Sequence, residues 1–261
     1  MEPELPPPPT FWSRLAPLFT GLGGEPTVIL CGASVLLIVS HYQGSAGFFR
    51  TLTGNLLDQH PWSATLGHFW WFGASIGLYL VMPLLLALAT KGSFNERYGF
   101  QLGDWRAGLL ITVLFLTIML PATYVASRLD TFRGVYPLAG NSAYLVNLGG
   151  GKTQVSWTLF LTYEAAYFSY FIAWEFLFRG WMVHGLTPTW GRGPAILAQV
   201  APFAVMHLGK AELETLGSII AGVALGILSM RTRSFYYGAL IHGVVAVWMD
   251  WLSVNGPLLA S

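Results

Sequence analysis

The chain has 261 residues, of which 54% are hydrophobic and only 10% are charged. Soluble domains have about 25% charged residues, so this composition excludes an ordinary soluble enzyme. The 13 basic and 12 acidic residues leave a net charge of +1, which excludes both a strongly basic nucleic-acid-binding protein and a highly charged disordered chain. A membrane-spanning helix needs about 20 apolar residues, so a chain of this length has room for about six to eight of them.

Residues 1–24 are predicted to form a disordered or interfacial tail. Acidic residues and four consecutive prolines near the start are not typical of a signal peptide. We expect residues 1–10 to be extended and disordered. Residues 11–22 are expected to form a short helix at the membrane interface, anchored by Phe11 and Trp12.

Apolar segments occupy most of the remaining chain. Residues 25–128 contain three predicted transmembrane helices, and residues 157–254 contain four more within the same membrane domain. The predicted spans are 27–42, 67–90, 109–127, 157–185, 194–208, 213–230 and 235–254. A surface helix is expected within residues 44–66, and a loop over residues 128–155. The sequence therefore predicts an all-α, polytopic membrane helix bundle with about seven transmembrane helices.

Ionisable residues inside the predicted spans are candidates for function, because charges are costly within a membrane. Glu175 and Arg179 are four residues apart in one span, so they share a helix face and can form an ion pair. His207 and His242 lie in two further spans. A structural ion pair and two core histidines are the alternative interpretation. The occurrence of all four groups in three neighbouring spans favours a functional site.

Three short motifs occur in a fixed order along these spans. Glu-x-x-x-Arg-Gly begins at Glu175, Phe-x-x-x-His joins Phe203 to His207, and a further histidine follows at His242. This order resembles the CPBP family of intramembrane proteases, which includes the CAAX prenyl endopeptidases and the bacterial Abi, bacteriocin-processing proteins. The resemblance covers about residues 157–250. It implies an intramembrane endopeptidase that hydrolyses a peptide bond in a membrane-tethered peptide or protein.

The resemblance also implies a role for each residue. Glu175 would be the base that takes a proton from water. One of the two histidines, His207 and His242, would orient that water, and the other would donate a hydrogen bond to the oxyanion of the tetrahedral intermediate. Arg179 and Phe203 would support these three residues. We expect both imidazoles to face the same cavity as the carboxylate, within about 4–7 Å of it.

The chain departs from the family pattern at two positions. Trp174 stands where the family has its first glutamate, which is taken as the base, and Ala246 stands where the family has Asn or Asp. Glu175 is then the remaining carboxylate for the role of base. Glu164 lies about 16 Å away along the same helix. Asp250 is about 12 Å along its helix from the last histidine, and we expect it at the membrane interface.

No cofactor is expected, with zinc as the alternative because a glutamate and two histidines are possible ligands. A zinc site would use all three residues and leave no separate base, so a metal-free site is preferred.

The expected partners are a membrane-tethered substrate and the lipid bilayer, with no nucleic acid. The expected location is the bacterial inner membrane, with the chain as a multi-pass integral protein. A catalytically silent scaffold, favoured by Trp174 and Ala246, and a small transporter are the alternative functions. The absence of an inverted sequence repeat argues against the transporter.

Overall fold

The computed structural model describes residues 23–60, 62–88, 94–149 and 152–255. The predicted tail and interfacial helix at residues 1–22 lie outside the described residues. In chain order the helices are α1 (Gly24–Tyr42), α2 (Ala46–Thr53), α3 (Ser63–Ile76), α4 (Met82–Leu88), α5 (Phe94–Tyr98), α6 (Trp105–Ala126), α7 (Asp130–Arg133), α8 (Trp157–Glu175), α9 (Gly185–Trp190), α10 (Arg192–Val205), α11 (Glu212–Thr232) and α12 (Tyr236–Asn255). Two π-helical segments, Gly77–Val81 and Phe176–His184, join α3 to α4 and α8 to α9.

Five helical segments are long and apolar enough to cross a membrane. They are Gly24–Tyr42, Ser63–Leu88, Trp105–Ala126, Glu212–Thr232 and Tyr236–Val254. The predicted all-α, polytopic class is therefore confirmed, whereas the predicted number of seven spans is not. Two glutamates and several tyrosines make α8 less apolar. Helix α10 has 14 residues and is about 21 Å long, which is less than the hydrocarbon thickness of about 30 Å.

The outer face of α6 has the apolar character that a lipid surrounding requires. Leu110, Val113 and Ile118 are 62%, 59% and 70% exposed. Such a continuous exposed apolar surface is unusual for a soluble protein. The side chains that give this chain its hydrophobic composition therefore lie on the outside of the bundle as well as in its core.

The centre of the bundle is the continuous helix formed by α8 and the π-helical segment Phe176–His184. Every residue from 173 to 186 is buried. Helices α3 and α12 pack against α8, while α10 and α11 pack against the π-helical segment. A Cβ atom on Gly185 would lie 2.6 Å from Ile29 Cδ1, so a glycine is needed where α1 crosses this helix. π-Helical segments interrupt α-helices mostly at functional sites, and this one begins directly after Glu175.

The segment predicted as a loop, residues 128–155, contains regular structure. It includes α7, a 3₁₀ turn at Asn141–Tyr144, and an antiparallel hairpin of β1 (Leu145–Gly149) and β2 (Lys152–Val155). The prediction missed these elements because strands of four or five residues give little periodic signal.

The same segment folds over the end of α12. The backbone N–H of Leu138 donates a hydrogen bond to Asp250 Oδ1 at 3.0 Å, and Asp250 has no exposed surface. Asp250 is therefore buried beneath the 128–155 segment. The fold brings residues 112 positions apart into contact, and no local pattern in the sequence reports such a contact.

Candidate active site

A fully buried ion pair lies at the start of the π-helical segment. Arg179 Nη1 donates to Glu175 Oε1 at 3.0 Å, and both side chains are 0% exposed. The guanidinium of Arg179 also lies over the ring of Phe203, 4.1 Å from its centroid. The opposite charges and the π-face of the ring together offset the cost of removing both groups from water.

The same carboxylate oxygen binds a histidine of α12. Glu175 Oε1 lies 2.9 Å from His242 Nδ1. Because Nδ1 faces a carboxylate, we assign the ring proton to Nδ1, which leaves Nε2 as a hydrogen-bond acceptor. The ring of Phe171 covers the imidazole with its centroid 4.3 Å away. The arrangement fixes both the tautomer and the orientation of His242.

His207 lies just after the end of α10 and faces His242. The two imidazole planes are nearly parallel, with an interplanar angle of 10° and centroids 6.1 Å apart. His207 Nδ1 lies 2.7 Å from the carbonyl oxygen of Phe203, so it donates there and its Nε2 is also an acceptor. Phe203 thus supports Arg179 with its ring and His207 with its carbonyl group.

Trp174 packs beside both histidines at one wall of the site. Its ring meets His207 and His242 edge-on, with centroid distances of 5.9 and 6.4 Å. The side chain is 4% exposed, and its Nε1 atom has no hydrogen-bond partner among the described residues. An aromatic edge therefore occupies the position where the family resemblance places a carboxylate.

The site opens into a cavity of about 540 Å³ within the bundle. Its mostly apolar walls come from α6, α8, α10, α11 and α12, and they include Trp174, His207 and His242. Ala246, one turn after His242, also lines it and contributes no polar atom. Glu175 does not line the cavity. It lies behind His242, whose side chain is 19% exposed while that of Glu175 is 0% exposed.

Polar side chains occur at the rim of this cavity. The hydroxyl group of Tyr136 lies 2.7 and 2.9 Å from the two carboxylate oxygens of Glu214, and Lys210 Nζ donates to the same hydroxyl at 3.2 Å. Burial and the neighbouring Glu214 raise the pKa of Tyr136 well above its ordinary value, so its hydroxyl is a donor to the carboxylate. The three groups satisfy one another at the junction between the 128–155 segment and α11.

The structure brings together the predicted residues Glu175, His207 and His242, with Arg179, Phe203 and Trp174 around them. Glu164 is not part of this group. It is buried on α8, its carboxyl group lies near that of Asp250, and neither residue lines the cavity.

Gly238 is a site residue that the sequence reasoning missed. A Cβ atom at this position would lie 2.7 Å from Glu175 Oε2, so only a glycine lets α12 approach the carboxylate this closely. Gly238 precedes His242 by four residues and therefore shares its helix face. That spacing was the signal in the sequence that could have identified it.

A comparison with protein families agrees with this geometry. Residues 156–248 match the model of the family described as Rce1-like, type II CAAX prenyl endopeptidase Rce1-like. The matched region runs from the residue before α8 into α12 and contains Glu175, His207 and His242. No curated protein and no solved structure matches the chain.

Replacing Arg179 by alanine is expected to destabilise the protein strongly. Glu175 would stay buried without its counter-charge, at a cost of about 3–5 kcal/mol in the free energy of unfolding. Arg231→Ala is the matched control, because Arg231 and Asp104 form a pair that is 59% and 37% exposed and contributes about 0–1 kcal/mol. Denaturant unfolding in detergent measures both changes.

A double variant tests the cause of that loss. Glu175→Leu combined with Arg179→Met removes both charges and keeps most of the side-chain volume, so it should be less destabilised than Arg179→Ala. Equal losses in the double variant and in Arg179→Ala would show that packing, and not the unpaired charge, accounts for the effect.

Proposed function

We propose that this protein is an endopeptidase that cleaves a membrane-tethered peptide or protein at the cavity between α8, α10 and α12, because residues 156–248 match the model of the Rce1-like family of type II CAAX prenyl endopeptidases. The observation that carries the proposal is the contact between Glu175 and His242 at the wall of that cavity. It joins a buried carboxylate to an imidazole that faces the cavity, which is the arrangement that a general base requires.

The base proposed here is the Glu175–His242 pair acting as one unit. Glu175 has no exposed surface, and its Oε1 atom already binds Arg179 and His242. It therefore holds the imidazole in one tautomer and stabilises the imidazolium that forms when His242 Nε2 takes a proton. This refines the expectation from sequence, in which Glu175 alone took the proton from water.

The proposed reaction is the hydrolysis of one peptide bond. The water oxygen attacks the carbonyl carbon while His242 Nε2 takes the water proton, which gives a tetrahedral intermediate. The imidazolium then returns the proton to the amide nitrogen as the C–N bond breaks, which gives a carboxylic acid and an amine; the acid transfers its proton to the amine, and a carboxylate and an ammonium group leave. His207 faces His242 across 6.1 Å and is placed to orient the attacking water through its own Nε2 acceptor.

The apolar cavity walls support a substrate that reaches the site from the bilayer. When the cavity walls are apolar, the free-energy cost of moving a lipid anchor or an apolar helix from the bilayer into the cavity is small. A prenylated tail, a bacteriocin leader and a C-terminal sorting tail all have this character. The bacterial inner membrane is the proposed location.

We propose that the reaction needs no metal ion. Within the described part of the chain, no group of three His, Cys, Asp or Glu residues is arranged to hold one. The carboxylate of Glu175 is already bound to Arg179 and His242, so it is a poor third ligand. A hydrolytic zinc site normally has three protein ligands and an open position.

A catalytically silent scaffold is the second candidate function, because two features of the cavity wall favour it. Trp174 places an aromatic ring at the position of the family's first glutamate, and Ala246 offers no hydrogen bond to an oxyanion. In that case the Glu175–Arg179 pair is retained because it holds the bundle together.

Glu175→Gln and His242→Ala should each lower kcat by at least about 100-fold, because each removes one half of the base. His41→Ala is the control, since His41 is exposed at the end of α1, and its activity should equal that of the wild type. The measurement is cleavage of a lipid-anchored fluorogenic peptide in vesicles.

Added imidazole separates the two possible bases in the same assay. If His242 carries the proton, imidazole should restore part of the activity of His242→Ala and none of that of Glu175→Gln. If imidazole restores the activity of neither variant, and the pH profile of the residual His242→Ala activity follows a carboxyl group, the proton transfer is assigned to Glu175.

Removal of metal ions should leave the activity within about twofold of the untreated enzyme, because the proposed base needs no Lewis acid. The cleavage rate is measured after prolonged treatment with a strong chelator, and elemental analysis measures the metal content of the protein. One zinc per chain in the untreated protein, with activity lost on chelation and regained on zinc addition, would make the residues of the site metal ligands.

Trp174→Glu should lower activity, because a second carboxylate beside the histidines competes with Glu175 for the proton of His242. Trp174→Gln is the matched control, since it removes the same ring without adding a charge. The double variant Trp174→Glu/Ala246→Asn restores the family pattern. An active double variant beside a wild type with no turnover on any lipid-anchored peptide would favour the silent scaffold.

A further inference from the structure

A second cavity lies at the same end of the bundle as the rim residues, outside the site described above. Its volume is about 470 Å³, and it lies between α2, the start of α3 and residues 133–140. Tyr136 lines both this cavity and the larger one. The segment around Tyr136 therefore separates the two.

The charges around this second cavity have one sign. Arg50 on α2 and Arg133 on α7 both line it, together with His68 on α3. None of its twelve lining residues is an Asp or a Glu. Two guanidinium groups in a lining that contains no Asp or Glu favour an anion in this cavity.

The two arginines are available to a ligand. Within the described residues no hydrogen bond or ion pair involves the Arg50 guanidinium. Arg133 approaches Asp130 at 3.8 Å, with side chains 59% and 99% exposed. An exposed pair at that distance contributes little, so an incoming anion displaces Asp130 at small cost.

Helix α2, which carries Arg50, has the features of a helix that lies at a membrane interface. The rings of Phe48 and Phe49 pack against Trp70, with centroid distances of 6.3 and 5.7 Å, and Trp70 Nε1 donates to a backbone carbonyl at 3.0 Å. Tryptophan is enriched where the hydrocarbon meets the headgroups. On the same helix Leu52 is 63% exposed, as expected for a helix that lies in the interface.

We propose that this cavity, defined by Arg50, Arg133 and His68, binds a phosphate group. Guanidinium groups bind phosphate oxygens through paired, charge-assisted hydrogen bonds. The phosphate belongs either to the headgroup of an anionic phospholipid or to a free phosphate ion. The site is separate from the proposed catalytic residues, so it does not depend on the protein being a protease.

The test is native mass spectrometry of the full-length protein in detergent, titrated with phosphatidylglycerol, phosphatidylcholine or inorganic phosphate. The wild type should bind the anionic phosphatidylglycerol about tenfold more tightly than the zwitterionic phosphatidylcholine. The double variant Arg50→Gln/Arg133→Gln should lose about tenfold in affinity for phosphatidylglycerol, and each single variant should lose part of that. Arg192→Gln is the matched control. Arg192 is an exposed arginine at the start of α10 and does not line this cavity, so its replacement should not change the affinity.

Competition assigns the source of the phosphate. Displacement of phosphatidylglycerol by millimolar inorganic phosphate supports a site for the free ion, and retention of the lipid supports a headgroup site. Wild-type affinity in the double variant, or an equal loss in Arg192→Gln, overturns the proposal. Thermal unfolding without lipid checks whether the double variant is folded. If the double variant is unstable, the lipid affinities of the two single variants are used instead. Wild-type affinity in both single variants overturns the proposal.

Discussion

The buried ion pair between Glu175 and Arg179 is the interaction on which the rest of the site depends. Two charges with no exposed surface are tolerated only if each finds partners in the surrounding helices. Arg179 finds one in the ring of Phe203 on α10, and Glu175 finds one in His242 on α12. The need to satisfy this pair thus brings three helices to one point in the bundle.

The shell around the pair is aromatic, and this has electrostatic consequences. Rings from Phe171, Trp174 and Phe203 enclose the carboxylate and both histidines, so little water reaches Glu175. In such a low-dielectric surrounding the contact between Glu175 and His242 is stronger than it would be in water. The imidazole reaches the cavity in place of the carboxylate, because α12 carries it there and Gly238 lets that helix come close.

The two departures from the family pattern lie on the same cavity wall. Trp174 and Ala246 both line the cavity next to the histidines, and both replace a polar group by an apolar one. Beside Trp174 and Ala246, the polar side chains at this wall are those of His207 and His242. The polar groups at the rim, Tyr136 with its two charged partners, lie at the end of the bundle where the second cavity opens.

Much of the fold follows from local features of the sequence. The high apolar content, low charge and long apolar segments predict a polytopic helix bundle, because helices of about 20 apolar residues satisfy their own backbone hydrogen bonds within a bilayer. The predicted span at 109–127 corresponds to α6 at Trp105–Ala126, within four residues at each end. The spacing of four between Glu175 and Arg179 predicted a pair on one helix face, and that pair is present.

Only the tertiary structure decided how the site is arranged. Glu175 and His242 are 67 residues apart, and nothing local indicates that one lies behind the other. The same reason explains the buried Asp250, which contacts a residue 112 positions earlier in the chain. Periodicity and motif spacing report which residues share a helix face, whereas the depth of each side chain and the group that faces the cavity depend on how the helices pack.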